Sequence, residues 1–168
     1  MFPKEVRFAQ DVEGLLTPDE LSKLSGFDFI NGMREGRLPS PPIAQTLGFW
    51  FTEVEVGKVS LRGVPSFKTM NPIGTVHGGW FGTLLDSCMA CAFQTTLPAG
   101  KSYTTLEFKV NIVRPLFDSS EEVVATGACS HAGRRSGVVE GRMVGVETGK
   151  LYATGSTTCM VLSLSDGA

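Results

Sequence analysis

Trp80-Phe-Gly-Thr-Leu-Leu-Asp-Ser-Cys-Met-Ala-Cys-Ala-Phe93, entered from His77-Gly78-Gly79, carries the strongest structural signal in this chain. It predicts a helix from Trp80 to about Thr96 that is too apolar for a surface position and belongs at the centre of the molecule. Only one formal charge, Asp86, falls between Lys68 and Lys101. A carboxylate forced into apolar surroundings is costly unless it is partnered or neutralised, so folding alone gives no reason to keep it there and function does. The competing account is an Asp on a solvated stripe of an otherwise buried helix.

Strand patterns lie on both sides of this helix. The run Gly48-Phe-Trp-Phe-Thr-Glu-Val-Glu-Val-Gly-Lys-Val-Ser-Leu61 alternates and is rich in β-branched and aromatic residues, predicting one or two strands. After the helix, Tyr103 to Val113 alternates Leu106, Phe108, Val110 and Ile112 against Glu107, Lys109 and Asn111, the pattern of a half-buried strand. Three more strands are expected at Glu121 to Ser130, Gly137 to Glu147 and Leu151 to Leu162, with Glu147-Thr-Gly-Lys150 as the hairpin turn between the last two. Strands, one long helix, then an antiparallel meander make an α+β fold in which a curved antiparallel sheet wraps around one long central helix.

Residues 1–45 read as a helical and extended lead-in, and 46–168 as the domain itself. Thr17-Pro18-Asp19-Glu20 is a helix-start signature, and Leu21, Leu24, Phe27, Ile30 and Met33 follow at helical spacing. Gly26 divides this helix, and Arg37-Leu-Pro-Ser-Pro-Pro42 ends it in an extended stretch. Such a segment suits a lid or packing arm better than a second domain.

A chain of 168 residues with 42% hydrophobic and 19% charged content fits one globular domain. Its net charge of −2 argues against a general nucleic-acid binder. The N-terminus Met-Phe-Pro-Lys-Glu-Val-Arg mixes charges and lacks a long apolar core, so a cytoplasmic location is expected. The uncharged stretch from Val76 to Leu97 is broken by His77, Asp86, Gln94 and several Ser and Thr, which makes a poor membrane span. Cys88-Met-Ala-Cys91 has a metal-site spacing but no second pair, and Cys129 and Cys159 stand alone in strand patterns, so no metal is expected.

Asn71-Pro-Ile-Gly74-Thr-Val-His77-Gly78-Gly79, then Asp86 nine residues past the His, then Thr104-Thr-Leu-Glu-Phe-Lys-Val-Asn-Ile-Val-Arg114-Pro115, resembles the hotdog-fold acyl-CoA thioesterases of the phenylacetate-pathway (PaaI-like) type. The likeness runs from about Leu47 to Leu162. It implies a cofactor-free hydrolase of acyl- or aryl-CoA thioesters in which Asp86 is general base or nucleophile, and in which Asn71 and Thr105, with Thr104 competing, position the thioester or the attacking water. It also implies that the His-Gly-Gly turn and the acidic residue of one site come from different subunits, hence a homodimer assembling to a homotetramer.

Elementary chemistry supports this assignment. The first amides of a helix are unsatisfied donors at the positive end of its dipole, and a thioester carbonyl needs such a donor as its oxyanion develops. Gly78 is therefore the expected oxyanion donor, with Gly79 allowing close approach and His77 shaping the turn. Trp80 and Phe81 either line the acyl pocket or belong to the core. Strand periodicity puts Thr105 on the face of Glu107 and Lys109, turned away from its own helix and toward a partner subunit. The basic turn Arg134-Arg135-Ser136 and Arg114 suit the phosphates of coenzyme A, although a solvated hairpin would read the same. Two rivals remain at this stage: a non-catalytic acyl-CoA-binding hotdog protein, and a hotdog 3-hydroxyacyl dehydratase in which His77 and Asp86 form an acid/base pair.

Overall fold

The apolar stretch is a helix and a single sheet curves around it. The computed structural model describes residues 2–164. Three short helices come first, α1 (Pro18–Ser22), α2 (Gly26–Arg34) and α3 (Pro42–Leu47), then strands β1 (Phe49–Glu55) and β2 (Lys58–Gly63), the long helix α4 (Gly78–Gln94), and strands β3 (Lys101–Ile112), β4 (Val123–Ala132), β5 (Ser136–Gly145) and β6 (Leu151–Ser163). The α+β hotdog architecture expected from the sequence is the one observed. The proline-rich stretch after Arg37 differs from expectation: Pro42 starts α3, a proline at the first helical position where its missing N–H costs nothing.

All six strands form one antiparallel sheet in the order β1-β2-β4-β5-β6-β3. The last three strands form the expected meander, but β3 is not its first member. It crosses to the far edge and pairs along its length with β6, from Lys101 opposite Ser163 to Ile112 opposite Ala153. The helix buries Leu84, Leu85, Cys88, Met89, Ala92 and Phe93 against this sheet. Their fit requires a close crossing, since a Cβ on Gly127 of β4 would stand 2.5 Å from the Cys88 carbonyl oxygen. Only glycine permits that approach.

The lead-in docks as an arm. Thr17 caps α1 reciprocally with Glu20, Ser25 caps α2, and Ile30 and Met33 of α2 enter the core beside β1. The Arg7 guanidinium ties the chain start to the α2 exit by donating to the carbonyls of Gly36 and Arg37, each at 2.7 Å. No helix among the described residues is long and apolar enough to cross a membrane.

Candidate active site

The loop before α4 is tightened by Asn71. Its Oδ1 accepts from the amides of Ile73 (3.1 Å) and Thr75 (3.2 Å), and its Nδ2 donates to Thr75 Oγ1 at 2.8 Å. Gly74 completes the turn with φ of 84°, a conformation that favours glycine. Asn71 thus positions the loop, with most of its carboxamide already engaged. His77 is the N-cap of α4, and its Nδ1 accepts from the Gly79 amide at 2.9 Å. An accepting Nδ1 puts the ring proton on Nε2. The Gly78 amide, first in the helix and exposed, has no partner among the described residues. It is a free donor at the positive end of the helix dipole.

Asp86 lies two turns further along α4, half-buried. Burial raises its carboxyl above the ordinary range, and a hydrogen bond from Thr105 pulls it back down. That bond, Thr105 Oγ1 to Asp86 Oδ1 at 3.1 Å, corrects the expectation that Thr105 turns away from its own helix. The cause is a β-bulge: Thr105 pairs with Cys159 and Glu107 with Thr158, leaving Leu106 as the extra residue. A bulge shifts the inward and outward faces by one position. Thr105 therefore faces the helix while Leu106, expected on the buried face, is 58% exposed.

The other titratable groups near Asp86 are Cys91, Tyr103 and Cys159, and burial raises all three, Cys91 to about 12. None offers a thiolate or phenolate at neutral pH, so Asp86 is the one anionic group at this point. The Cys88 thiol is likewise pushed well up by burial, so neither member of the Cys88/Cys91 pair is a thiolate nucleophile at neutral pH.

Two cavities flank α4. One, of about 380 Å³, is apolar and reaches Asp86, Ser87 and Tyr103. The other, of about 350 Å³, brings together Asn71, Gly78, Phe81, Arg114 and Pro115. Trp80 lines neither: it is buried, and its indole N–H donates to the Leu47 carbonyl at 2.8 Å, so the core alternative is the one it follows. Gly78 and Asp86 are eight residues apart on one helix, about 12 Å along its axis at 1.5 Å per residue. That is too far for both to touch one carbonyl carbon and its oxygen.

The basic turn is exposed, and neither Arg134 nor Arg135 forms an ion pair among the described residues. Sheet register ties it to the site: Ser136 pairs with Met160, and Met160 with Thr104. The turn therefore sits two strands, about 10 Å, from Thr104 at the same end of the sheet. Thr104 lies on the opposite face of β3 from Thr105, away from the carboxylate. The signals that the sequence did not disclose are Ser87, Cys91 and Tyr103, which join Asp86 in its cavity through packing alone.

Residues 73–152 match the sequence profile of the thioesterase superfamily. Among solved structures, the phenylacetic acid degradation-related protein of Ralstonia eutropha JMP134 is 29% identical, with a TM-score of 0.69 covering 82% of this chain and 99% of its own. A thioesterase family protein from Silicibacter pomeroyi is 26% identical, with a TM-score of 0.67 covering 73% and 90%. A thioesterase from Haemophilus influenzae, at 24% identity and a TM-score of 0.67 over 73% and 83%, shares the fold. No curated protein matches the chain.

Proposed function

Since residues 73–152 belong to the thioesterase superfamily on a PaaI-like hotdog fold, we propose that the protein hydrolyses acyl-CoA thioesters to free acid and CoA, using Asp86 as the catalytic carboxylate. The observation that carries this reading is the partly desolvated Asp86, held by the Thr105 hydroxyl in the lining of an apolar cavity. A carboxylate in such a place is kept basic by burial, which suits it to take a proton from water or to attack the thioester carbon directly.

In the general-base route, Asp86 removes a proton from water as the water oxygen adds to the carbonyl carbon. In the nucleophilic route its own oxygen adds, and water then cleaves the anhydride. Either way the carbonyl oxygen becomes an oxyanion, the thiolate of CoA departs, and the Gly78 amide is the donor suited to the negative charge. His77 contributes by capping α4 and fixing the turn. The axial distance between Gly78 and Asp86, and their opening into different cavities, support sites shared between two copies of the chain, within a homodimer or a tetramer of such dimers.

Coenzyme A brings a diphosphate and a 3′-phosphate, and the exposed guanidiniums of Arg134, Arg135 and Arg114, which form no ion pair among the described residues, are suited to them. The test is release of free CoA thiol from a panel of acyl-CoAs by the wild type and by Asp86→Ala of the same oligomeric state. Turnover by the wild type that falls at least roughly 100-fold in the variant is the expected result. Equal rates in the two proteins remove Asp86 from the mechanism.

A further inference from the structure

The residues ahead of β1 lie outside the segment that matches the superfamily, yet they form one wall of the cavity that opens on Asp86. Leu16, Leu21, Phe29 and Met33 of the arm line it together with Phe51 of β1 and Tyr103 of β3. This wall is built and anchored. Met33 is buried, α1 and α2 carry capped N-termini, and the amide of Ala9 and the carbonyl of Ser40 bond at 3.1 Å to close the arm on itself.

The cavity's chemistry narrows what it takes. Among the described residues no Lys, Arg or His lines it and its one charge is Asp86, so an acyl group ending in a second carboxylate meets repulsion and no counter-ion. Its volume is about 380 Å³. An apolar cavity of about 150 Å³ is enough for benzene, about 25 Å³ per carbon, so an acyl group with a single ring fills only about half of this one. On the same scale a chain of about ten to fifteen carbons fills two thirds of the space or more.

Resting on the thioesterase reading of the site, we infer that the N-terminal arm is the acyl-recognition element, and that it selects uncharged acyl groups of about ten to fifteen carbons over short, single-ring and dicarboxylic ones. The arm sets the far wall and Asp86 marks the thioester end. Chain length is then read by how much apolar surface the acyl group buries against Leu16, Phe29 and Met33.

The experiment titrates S-alkyl-CoA thioethers, which cannot be hydrolysed, into the wild type, Leu16→Trp and Phe29→Ala, and measures thiol release from the matching acyl-CoAs in parallel. Wild-type Kd is expected to fall about fourfold per added methylene and to level off at about ten to fifteen carbons. Leu16→Trp moves that break to shorter chains and weakens tetradecyl-CoA several-fold relative to ethyl-CoA. Phe29→Ala enlarges the same wall and moves the break to longer chains, so a folding defect in one variant leaves the other to decide. A Kd that ignores chain length, or a variant effect equal at every length, overturns the inference. Binding with the expected break but no thiol release from any ester would refute the hydrolytic reading and leave the pocket standing. Thiol release without length selectivity in any protein would do the reverse.

Discussion

Asp86 is held between two opposed influences, and the Thr105 hydroxyl is the one that mutation can remove cleanly. Burial raises the carboxyl and the Thr105 bond lowers it. Because Asp86 works ionised, kcat/KM rises with pH through its pKa, along an acid limb set above the ordinary aspartate value of about 3.9. Thr105→Val deletes the lowering influence and leaves the burial, so the limb moves to higher pH, whereas Thr105→Ser keeps the hydroxyl and the wild-type limb. A pH profile of kcat/KM for the three proteins checks this, and coincident limbs would remove Thr105 from the control of Asp86. The same desolvation makes a stability statement. A carboxyl raised on folding supports the native state most when protonated, and that support is lost as pH rises through the folded pKa. Asp86→Asn is therefore expected to melt above the wild type at pH 7 while losing roughly 100- to 10,000-fold in turnover, with the thermal gain vanishing at pH well below 4. A variant that loses activity and melts lower would mark Asp86 as a structural residue.

Elements that follow from local pattern were legible in the chain. The α4 helix, the strands after it and the turn at Glu147 to Lys150 all come from periodicity and glycine placement, and so did the free amide at the helix start. Long-range pairing was not legible, because nothing in the β3 sequence says that it will cross to β6. The bulge at Leu106 was hidden for a related reason: alternation counts straight through one extra residue, and only the partner strand reveals which residue is unpaired. The arm's contribution to the cavity depends on docking, so its leucines read as ordinary amphipathic spacing. Glu121 shows a tie of the same long-range kind. Its carboxylate accepts from the amides of Glu147 (2.8 Å) and Thr148 (2.9 Å) and from the Tyr152 hydroxyl (3.0 Å), pinning the β5–β6 hairpin. The Thr148 hydroxyl, the other Thr148 and Glu147 bonds and Tyr152 together hold this carboxyl down at about 2. A carboxyl depressed on folding stabilises the native state above its unfolded pKa, and that contribution fades as pH falls toward the folded value. Glu121→Gln should thus melt below the wild type at pH 7, and the gap should close between about pH 4.5 and 2 in paired thermal melts. A gap that is constant with pH would assign the effect to shape and not to charge.

At the scale of the whole molecule, the 12-residue edge strand β3 has no neighbour beyond it among the described residues, and Leu106, Phe108, Ile112 and Val113 at that edge are all exposed. A long edge strand carrying apolar side chains is a surface that folded proteins normally cover. Gly78 and Asp86, meanwhile, open into different cavities of the same chain. Both facts are met if two copies associate so that the helix start of one faces the carboxylate of the other. Two single variants test this. Asp86→Ala removes the carboxylate, and Gly78→Pro replaces the amide hydrogen by a ring carbon, at a first helical position that proline tolerates and after a His77 whose φ of −64° and ψ of 139° suit a following proline. Each is expected to be nearly inactive alone. Mixed in equal amounts and allowed to exchange subunits, half of the dimers become mixed, each with one doubly damaged site and one intact one, so about a quarter of wild-type activity returns. A mixture that stays as inactive as its parts, in protein whose subunits have been shown to exchange, would mean that each chain carries its own complete site and that the 12 Å between Gly78 and Asp86 is bridged within one subunit.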